Sequence, residues 1–356
     1  MAQTLEQIAE LAGVSRATVS RVINGGPYIR TEVRERVMRV ITEHNFHPNA
    51  VARSLARRRT NAIGLLVPEP VGRLFNDAYF PPLAEGVAAA CHDLDLYMAL
   101  LTVNEPADPE ARGHLYKRIF TSGYHDGIVM ASSPRSDVVT KMMIDFGVTF
   151  VLAGRQLDYP DLPCVDVDNV GGARMAVDHL VSLGHTSIGT IAGPAYMSAG
   201  VDRLDGFRAA MAGHDLTVDP AHVIEGDFTE QSGFAAGLRL ADNPPSALFV
   251  ASDMMAAGAM RAFAARGLRV PDDVSIVSFD GFPLSATTHP ALTTITQPVA
   301  ESGRRAVEML ISLIDTLLPR GSGPAADGEN GAPRLVLPVA LTIRESTCRR
   351  DTHLRR

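Results

Sequence analysis

A chain of 356 residues is longer than one hydrophobic core usually serves, so two or three compact units are expected. With 46% hydrophobic residues and no run of eighteen apolar ones, the composition fits a soluble globular protein and excludes a membrane-spanning helix. The net charge of −7 is unevenly spread: residues 1–60 hold ten arginines against five glutamates, a net of +5, which leaves −12 on the remainder. A small basic head on an acidic body is the layout expected when only the head meets a polyanion, although arginine-rich stretches also serve simply to solvate helix faces.

The first elements are short helices. Leu5, Ile8, Ala9 and Ala12 recur at three and four residues, with Thr4 as N-cap and Gln7 at the capping-box position. Gly13 permits a tight turn, Ser15 caps a second helix from Arg16 to Asn24, and Gly25-Gly26-Pro27 stops it. A third helix carries Val33, Val37, Val40 and Ile41 at helical spacing, with Thr31 as its cap. Two short helices joined by a glycine turn and buttressed by a third form a helix-turn-helix, whose second helix enters the major groove of DNA. Arg16 and Arg21 have the fork that reads guanine, and Ala17 suits a thymine methyl. Thr4, Ser15, Thr18, Ser20 and Asn24 are the right size to reach phosphates. The competing reading is an ordinary three-helix bundle with a polar surface.

The stretch Thr4-Leu-Glu-Gln-Ile-Ala-Glu-Leu-Ala-Gly-Val-Ser-Arg-Ala-Thr-Val-Ser-Arg-Val-Ile-Asn24, continued by His47-Pro-Asn-Ala-Val-Ala-Arg-Ser-Leu-Ala56, closely resembles the DNA-binding head of the LacI/GalR family of bacterial transcription regulators. Within 47–60, Val51, Ala52 and Leu55 form a narrow apolar stripe beside Arg53, Arg57, Arg58 and Arg59, with no acid to oppose them. A helix this short and this charged is marginal in water, so ordering coupled to phosphate binding is expected; a flexible charged linker is the alternative. The resemblance implies the family's hinge helix, with Leu55 wedged into the minor groove. Leu5, Tyr28, Asn49, Ala52 and Arg53 complete the candidate DNA contacts.

From Ile63 short apolar runs alternate with helical segments. One series has strands near 63–67, 97–101, 127–130 and 149–152; a second has strands near 165–167, 188–191, 247–250 and 275–279. Such βαβ succession predicts two parallel-sheet lobes. The resemblance extends over them and implies a periplasmic-binding-protein-like core whose chain crosses between lobes three times. A helix over 299–318, a Gly/Pro/Ala-rich loop over 319–333 and a last strand over 335–343 returning to the second lobe complete the chain. The expected division is 1–46 head, 47–60 hinge, 61–163 with 297–330 first lobe, 164–296 with 331–346 second lobe, and 347–356 tail. No leucine heptads follow, so a homodimer is expected.

Ligands of open α/β sheets bind beyond the carboxyl ends of the strands. Tyr79 and Phe80 follow the first strand, either to stack on a ring or to staple the next helix. Arg155, Arg203, Asp253 and Asp280 lie at strand ends or helix starts, where guanidinium and carboxylate together suit vicinal hydroxyls; interlobe ion pairs, or a cap in the case of Asp253, are the alternatives. The resemblance implies that Arg203, Asp280 and the aromatic Phe228 line the effector cleft. It also favours a sugar, because Ala195-Tyr-Met-Ser-Ala-Gly200 lacks the basic and hydroxyl pair expected of purine-responsive members.

The expected protein is therefore a sequence-specific repressor that binds double-stranded, palindromic operator DNA and is released by a small molecule. A corepressor-dependent regulator is the nearest alternative, and a sugar-binding transport protein an alternative of another class. The transport reading asks for an export signal, whereas the opening Met-Ala-Gln-Thr-Leu-Glu-Gln has neither basic patch nor apolar core. Cys91, Cys164 and Cys348 form no CxxC, so a reducing cytoplasm is expected, without disulfides, metal or cofactor. There is no GxGxxG after a strand, no Walker loop and no GxSxG elbow, so no enzyme is expected.

Overall fold

The structure, a computed structural model, describes residues 4–23, 28–44, 46, 59–103, 108–131, 133–317 and 332–350. The chain divides into two units, residues 1–61 and 62–356.

The first unit holds helices α1 (Leu5–Leu11), α2 (Arg16–Ile23) and α3 (Thr31–Glu43). Thr4 and Gln7 form a reciprocal capping box, which satisfies backbone donors that α1 leaves free. Gly13 takes φ +61° in the turn, a conformation glycine adopts without a Cβ penalty, and Ser15 Oγ accepts from Thr18 N at the start of α2. Ile8, Ala9, Ala12, Val19, Val22, Val37, Val40 and Phe46 close over one another as the core of this unit. The expected Thr31 cap is not found. Thr31 is the first helical residue, and Arg30 stands at the N-cap without a side-chain bond.

The second unit begins with β1 (Ala62–Val67), α4 (Val71–Asn76), α5 (Phe80–Asp93), β2 (Tyr97–Thr102), α6 (Pro109–Thr121), β3 (Gly127–Ala131), α7 (Val138–Asp145), β4 (Phe150–Ala153) and β5 (Cys164–Val167). It continues with α8 (Asn169–Ser182), β6 (Ile188–Ala192), α9 (Ser198–Gly213), β7 (Val223–Glu225), α10 (Glu230–Leu240), β8 (Ala247–Val250) and α11 (Asp253–Ala265). The last elements are β9 (Ser275–Asp280), α12 (Pro283–Thr287), β10 (Thr293–Thr296), α13 (Val299–Leu317), β11 (Arg334–Leu337) and β12 (Ala340–Thr342).

These strands make two six-stranded sheets, ordered β11-β5-β4-β3-β1-β2 and β12-β10-β9-β8-β6-β7. The described pairs are parallel except β10 with β12. The continuous apolar runs of β1, β3 and β4 suit strands covered on both faces. Close helix packing around them depends on missing side chains. A Cβ on Gly86 would meet the carbonyl of Ala300, and one on Gly233 the backbone of Met255.

The sheet order revises two expectations. Strand 165–167 belongs to the first sheet, between β4 and β11, and not to the second series. The expected final strand 335–343 is two strands interrupted at Pro338-Val339: β11 runs parallel to β5, and β12 antiparallel to β10. Proline has no N–H to give a ladder, which is why the run breaks there. The chain thus crosses between the lobes three times, at 168, at 297–298 and at 338–339.

Candidate functional site

In the first unit, Arg16, Ala17 and Arg21 stand exposed on α2, while Val19 and Val22 turn to the core. The arginine fork and the small methyl therefore share a solvent-facing surface of the helix, as major-groove reading requires. Arg16 also pairs with Glu6 at 3.0 Å, an ion pair with both side chains mostly in water and so easily exchanged for a base or phosphate. Ser15 Oγ and Thr18 Oγ1 are 2.9 Å apart at the helix start, and Thr4 is engaged in its capping box. Leu5 and Ser20 are half-buried, and Tyr28 is fully exposed in a left-handed conformation (φ +65°). Asn24, Asn49, Ala52, Arg53 and Leu55 lie outside the described residues, as does most of 47–60.

In the second unit a cleft opens between the two sheets, at the carboxyl ends of their strands. Six of the seven expected residues line it: Tyr79, Phe80, Arg155, Arg203, Phe228 and Asp280. Their centre is an ion pair. Arg203 Nη1 donates to Asp280 Oδ1 at 3.0 Å and to the carbonyl of Ala251 at 2.6 Å, and its Nε donates to Asn169 Oδ1 at 2.9 Å. The guanidinium lies over the Phe279 ring, 3.6 Å from its centroid, with Phe228 on another side at 5.8 Å. Stacking of this kind fixes the plane of the fork. Phe228 and Asp280 are non-glycine residues with positive φ, +70° and +116°, so the cleft includes two strained backbone positions.

Burial pushes the Asp280 carboxyl up to about 7 against the opposing pull of Arg203, with Asp253 adding repulsion. Tyr79, half-buried, has its phenol pushed up by burial and by Asp166, so it stays a hydrogen-bond donor at neutral pH. Its ring meets Phe80 edge-on at 5.6 Å, and Phe80 packs into the first lobe's core, which makes Phe80 wall and staple at once.

Arg155 follows the end of β4 and spans the cleft: Nη2 reaches both oxygens of Asp202 on α9, at 2.5 and 2.7 Å. It is thus an interlobe ion pair that also lines the cavity. Asp253 is elsewhere. It is fully buried at the start of α11, where it accepts from Ser278 Oγ, Thr294 Oγ1 and the backbone N–H of Phe282 at 2.6–2.7 Å. It anchors the turn that carries Asp280 and Phe282 and does not face the cleft; Ser252 is the actual cap of α11.

Cleft residues that carried no mark in the sequence are Asp166, Asn169, Gln297, Arg73, Asp77 and Ser133. Asn169 and Gln297 lie in or beside the crossovers, where no periodicity marks a residue. Asp166 was hidden inside an apolar strand, and a lone acid in such a run is the one signal that could have exposed it. Three arginines and three aspartates line the cleft, so it presents fixed donors and acceptors with little net charge.

Comparison with known proteins agrees with both halves of the molecule. Residues 4–49 match the lacI family of bacterial regulatory proteins, and residues 177–347 the periplasmic binding protein-like domain. The HTH-type transcriptional regulator CelR of Thermobifida fusca is 38% identical over 96% of this chain and 98% of its own. The ribose operon repressor of Halalkalibacterium halodurans (strain ATCC BAA-125 / DSM 18197 / FERM 7344 / JCM 9153 / C-125) is 32% identical over 97% of each. Among solved structures, a CelR–cellobiose complex superposes with a TM-score of 0.73 at 35% identity, covering 97% of this chain and 99% of that one. A lac repressor dimer bound to operator and the anti-inducer ONPF gives 0.79 at 29% identity, covering 98% and 100%. With its helix-turn-helix unit, its two-lobed core and relatives matched along nearly their full length, the chain belongs to the LacI family of bacterial transcriptional regulators.

Proposed function

We propose that this regulator is a cytoplasmic repressor of sugar-utilisation genes, released from a palindromic operator by a neutral sugar bound between its lobes. The observation that carries the sugar is the cleft itself: buried Arg203 and Asp280 offer donor and acceptor side by side, aromatic Tyr79 and Phe228 flank them, and the acid–base count balances. A phosphate or other anion would leave the aspartates opposed to it, whereas vicinal hydroxyls donate and accept at once. CelR, solved with cellobiose, makes a β-linked glucose disaccharide the first candidate.

The DNA side follows from α2. Two heads of a homodimer would address the half-sites of a palindrome, with Arg16, Ala17 and Arg21 at base edges. Ser15, Thr18, Ser20, Thr4, Leu5, Tyr28 and Asn24 would set the register. Residues 47–60, with Asn49, Ala52, Arg53 and Leu55, are assigned as the hinge on sequence grounds alone. The protein acts as a binder and not a catalyst: effector occupancy changes the relation of the lobes, and coupling of about 1–3 kcal/mol is the usual size for such linkage.

Calorimetric titration of the full-length protein with cellobiose, glucose and adenine tests this. The expected result is saturable binding of a sugar that Arg203→Ala weakens about 30-fold or more, as loss of a buried charge-assisted contact does. Binding of adenine alone, or of a sugar indifferent to Arg203, would overturn it.

A further inference from the structure

The Arg203–Asp280 pair is attached to two of the three crossings by amide side chains. Asn169, in the first turn of α8 just after the crossing at 168, accepts Arg203 Nε through Oδ1 at 2.9 Å. Its Nδ2 reaches back to the first sheet, to Asp166 Oδ1 at 3.2 Å and the Val167 carbonyl at 3.3 Å. Gln297, in the second crossing, donates from Nε2 to Asp280 Oδ1 at 2.7 Å. Its backbone N–H also donates to the Asp280 carbonyl at 3.1 Å, and its own carbonyl accepts from Val299 N at the head of α13. All four side chains are more than nine-tenths buried.

Two facts make this more than packing. Asp280 has φ +116°, so its backbone is held in a costly conformation, and Gln297 grips both its backbone and its side chain. Next to it Gly281 is pressed against Thr296, the last residue before the second crossing; a Cβ there would lie 2.6 Å from Thr296 Oγ1. Displacement of Asp280 therefore bears on the crossing directly. Asn169 likewise cannot follow Arg203 without releasing Asp166. The ion pair sits on the second lobe, and each amide ties it to chain that leads into the first.

The geometry points to Asn169 and Gln297 as positioning residues that convert occupancy of the Arg203–Asp280 pair into a change of angle between the lobes. This rests on the cleft being the effector site. A ligand hydroxyl that accepts from Arg203 and donates to Asp280 competes with the amides for the same atoms. The two crossings feel that competition from opposite ends of one ion pair. Without the amides, the crossings no longer register a ligand held by the pair, so the response is compared at saturating cellobiose.

The test uses the full-length chain in a Cys348→Ser background, with spin labels at Lys117→Cys on α6 and Arg239→Cys on α10, both exposed in this structure. Interlobe distances are measured without ligand and with cellobiose, alongside operator release. The reference protein is expected to give a narrow ligand-free distribution that shifts with cellobiose. Gln297→Met and Asn169→Leu are expected to broaden the ligand-free distribution at a melting temperature within a few degrees of the reference. Their cellobiose-driven shift and operator release should fall about five-fold or more, the lower end of typical coupling. Gln297→Leu, of similar size and without the donor, serves if Gln297→Met does not fold. If the variants keep the reference distribution and the full response, the assignment is overturned. If cellobiose leaves the reference distance unmoved, other neutral sugars are titrated in the same assay. A shift that the reference shows and the variants lose keeps the positioning role and drops the disaccharide, and no shift with any of them overturns the assignment.

Discussion

Arg155 of the first lobe and Asp202 of the second meet across the cleft, the guanidinium Nη2 lying 2.5 and 2.7 Å from the two carboxylate oxygens. The carbonyl of Arg155 accepts from Ser198 Oγ at 2.6 Å, and the backbone N–H of Arg135 donates to the Tyr196 carbonyl at 2.6 Å. All three ties join the first lobe to α9 or the loop before it. Asp202 is the immediate neighbour of Arg203, so one helical turn carries both the lobe contact and the proposed effector contact.

Removing Asp202 strands a half-buried guanidinium whose Nε already has no partner among the described residues. With the pair about one-sixth exposed, Asp202→Asn is expected to destabilise the core by about 1–2 kcal/mol, below the cost of breaking a fully buried pair. Urea denaturation of the variant measures this. A cost below about 0.5 kcal/mol would mean that the pair contributes no more than a surface contact.

If the cleft is the effector site, Asp280 should make effector binding pH-dependent. Its carboxyl is pushed up to about 7 by burial, facing Arg203, Asp253, Asp77 and Tyr79. Protonation removes an acceptor and loosens the grip on Arg203, so sugar affinity should fall as pH drops, by about tenfold between pH 8 and pH 6 if only the ionised form binds. For stability the sign is opposite. The folded protein keeps a proton that the unfolded chain loses near pH 4, so this group's contribution is present below pH 4 and is lost as pH rises to about 7. Asp280→Asn should flatten both dependences, as read by calorimetry and urea titration at several pH values.

Glycines at helix contacts separate two effects of one substitution. Gly233 on α10 has no room for a methyl against Met255, so Gly233→Ala should cost about 1–3 kcal/mol by overpacking. Gly113, inside α6 with nothing within 4 Å, should gain about 0.5–1 kcal/mol from the same change through backbone entropy. Denaturation midpoints of the two variants moving in the same direction would contradict the packing described.

Much of the fold was legible because it is periodic. The stripe Leu5, Ile8, Ala9 and Ala12, the turn at Gly13 and the runs of β1, β3 and β4 each state their own structure. Sheet membership is not local. Cys164–Val167 reads as a buried strand in either lobe, and only strand order puts it in the first. The same limit applied at the cleft. An aspartate after a strand reads alike whether it lines the cleft, as Asp280 does, or props a turn from beneath, as Asp253 does. Asn169 and Gln297 carry no pattern at all, since their importance comes from what the fold brings to them.

On the DNA side, Arg21 stands exposed on the helix assigned to the major groove. Arg21→Ala should cost about 1–3 kcal/mol at one position of the operator and relax base preference there, read by binding to a set of single-base variants. An equal loss on every sequence would make Arg21 a phosphate contact.

The central claim is that one protein reads a palindrome and yields it to a neutral sugar. The direct measurement is selection of bound DNA from a random pool by the full-length protein at near-physiological salt, followed by titration of cellobiose and other neutral sugars against the selected site. The account predicts an enriched palindrome and release by at least one sugar, with the DNA weakening sugar binding by the same factor. Tighter DNA binding on adding sugar would reverse the sign to a corepressor. No palindrome, with or without sugars and nucleobases, would contradict the account.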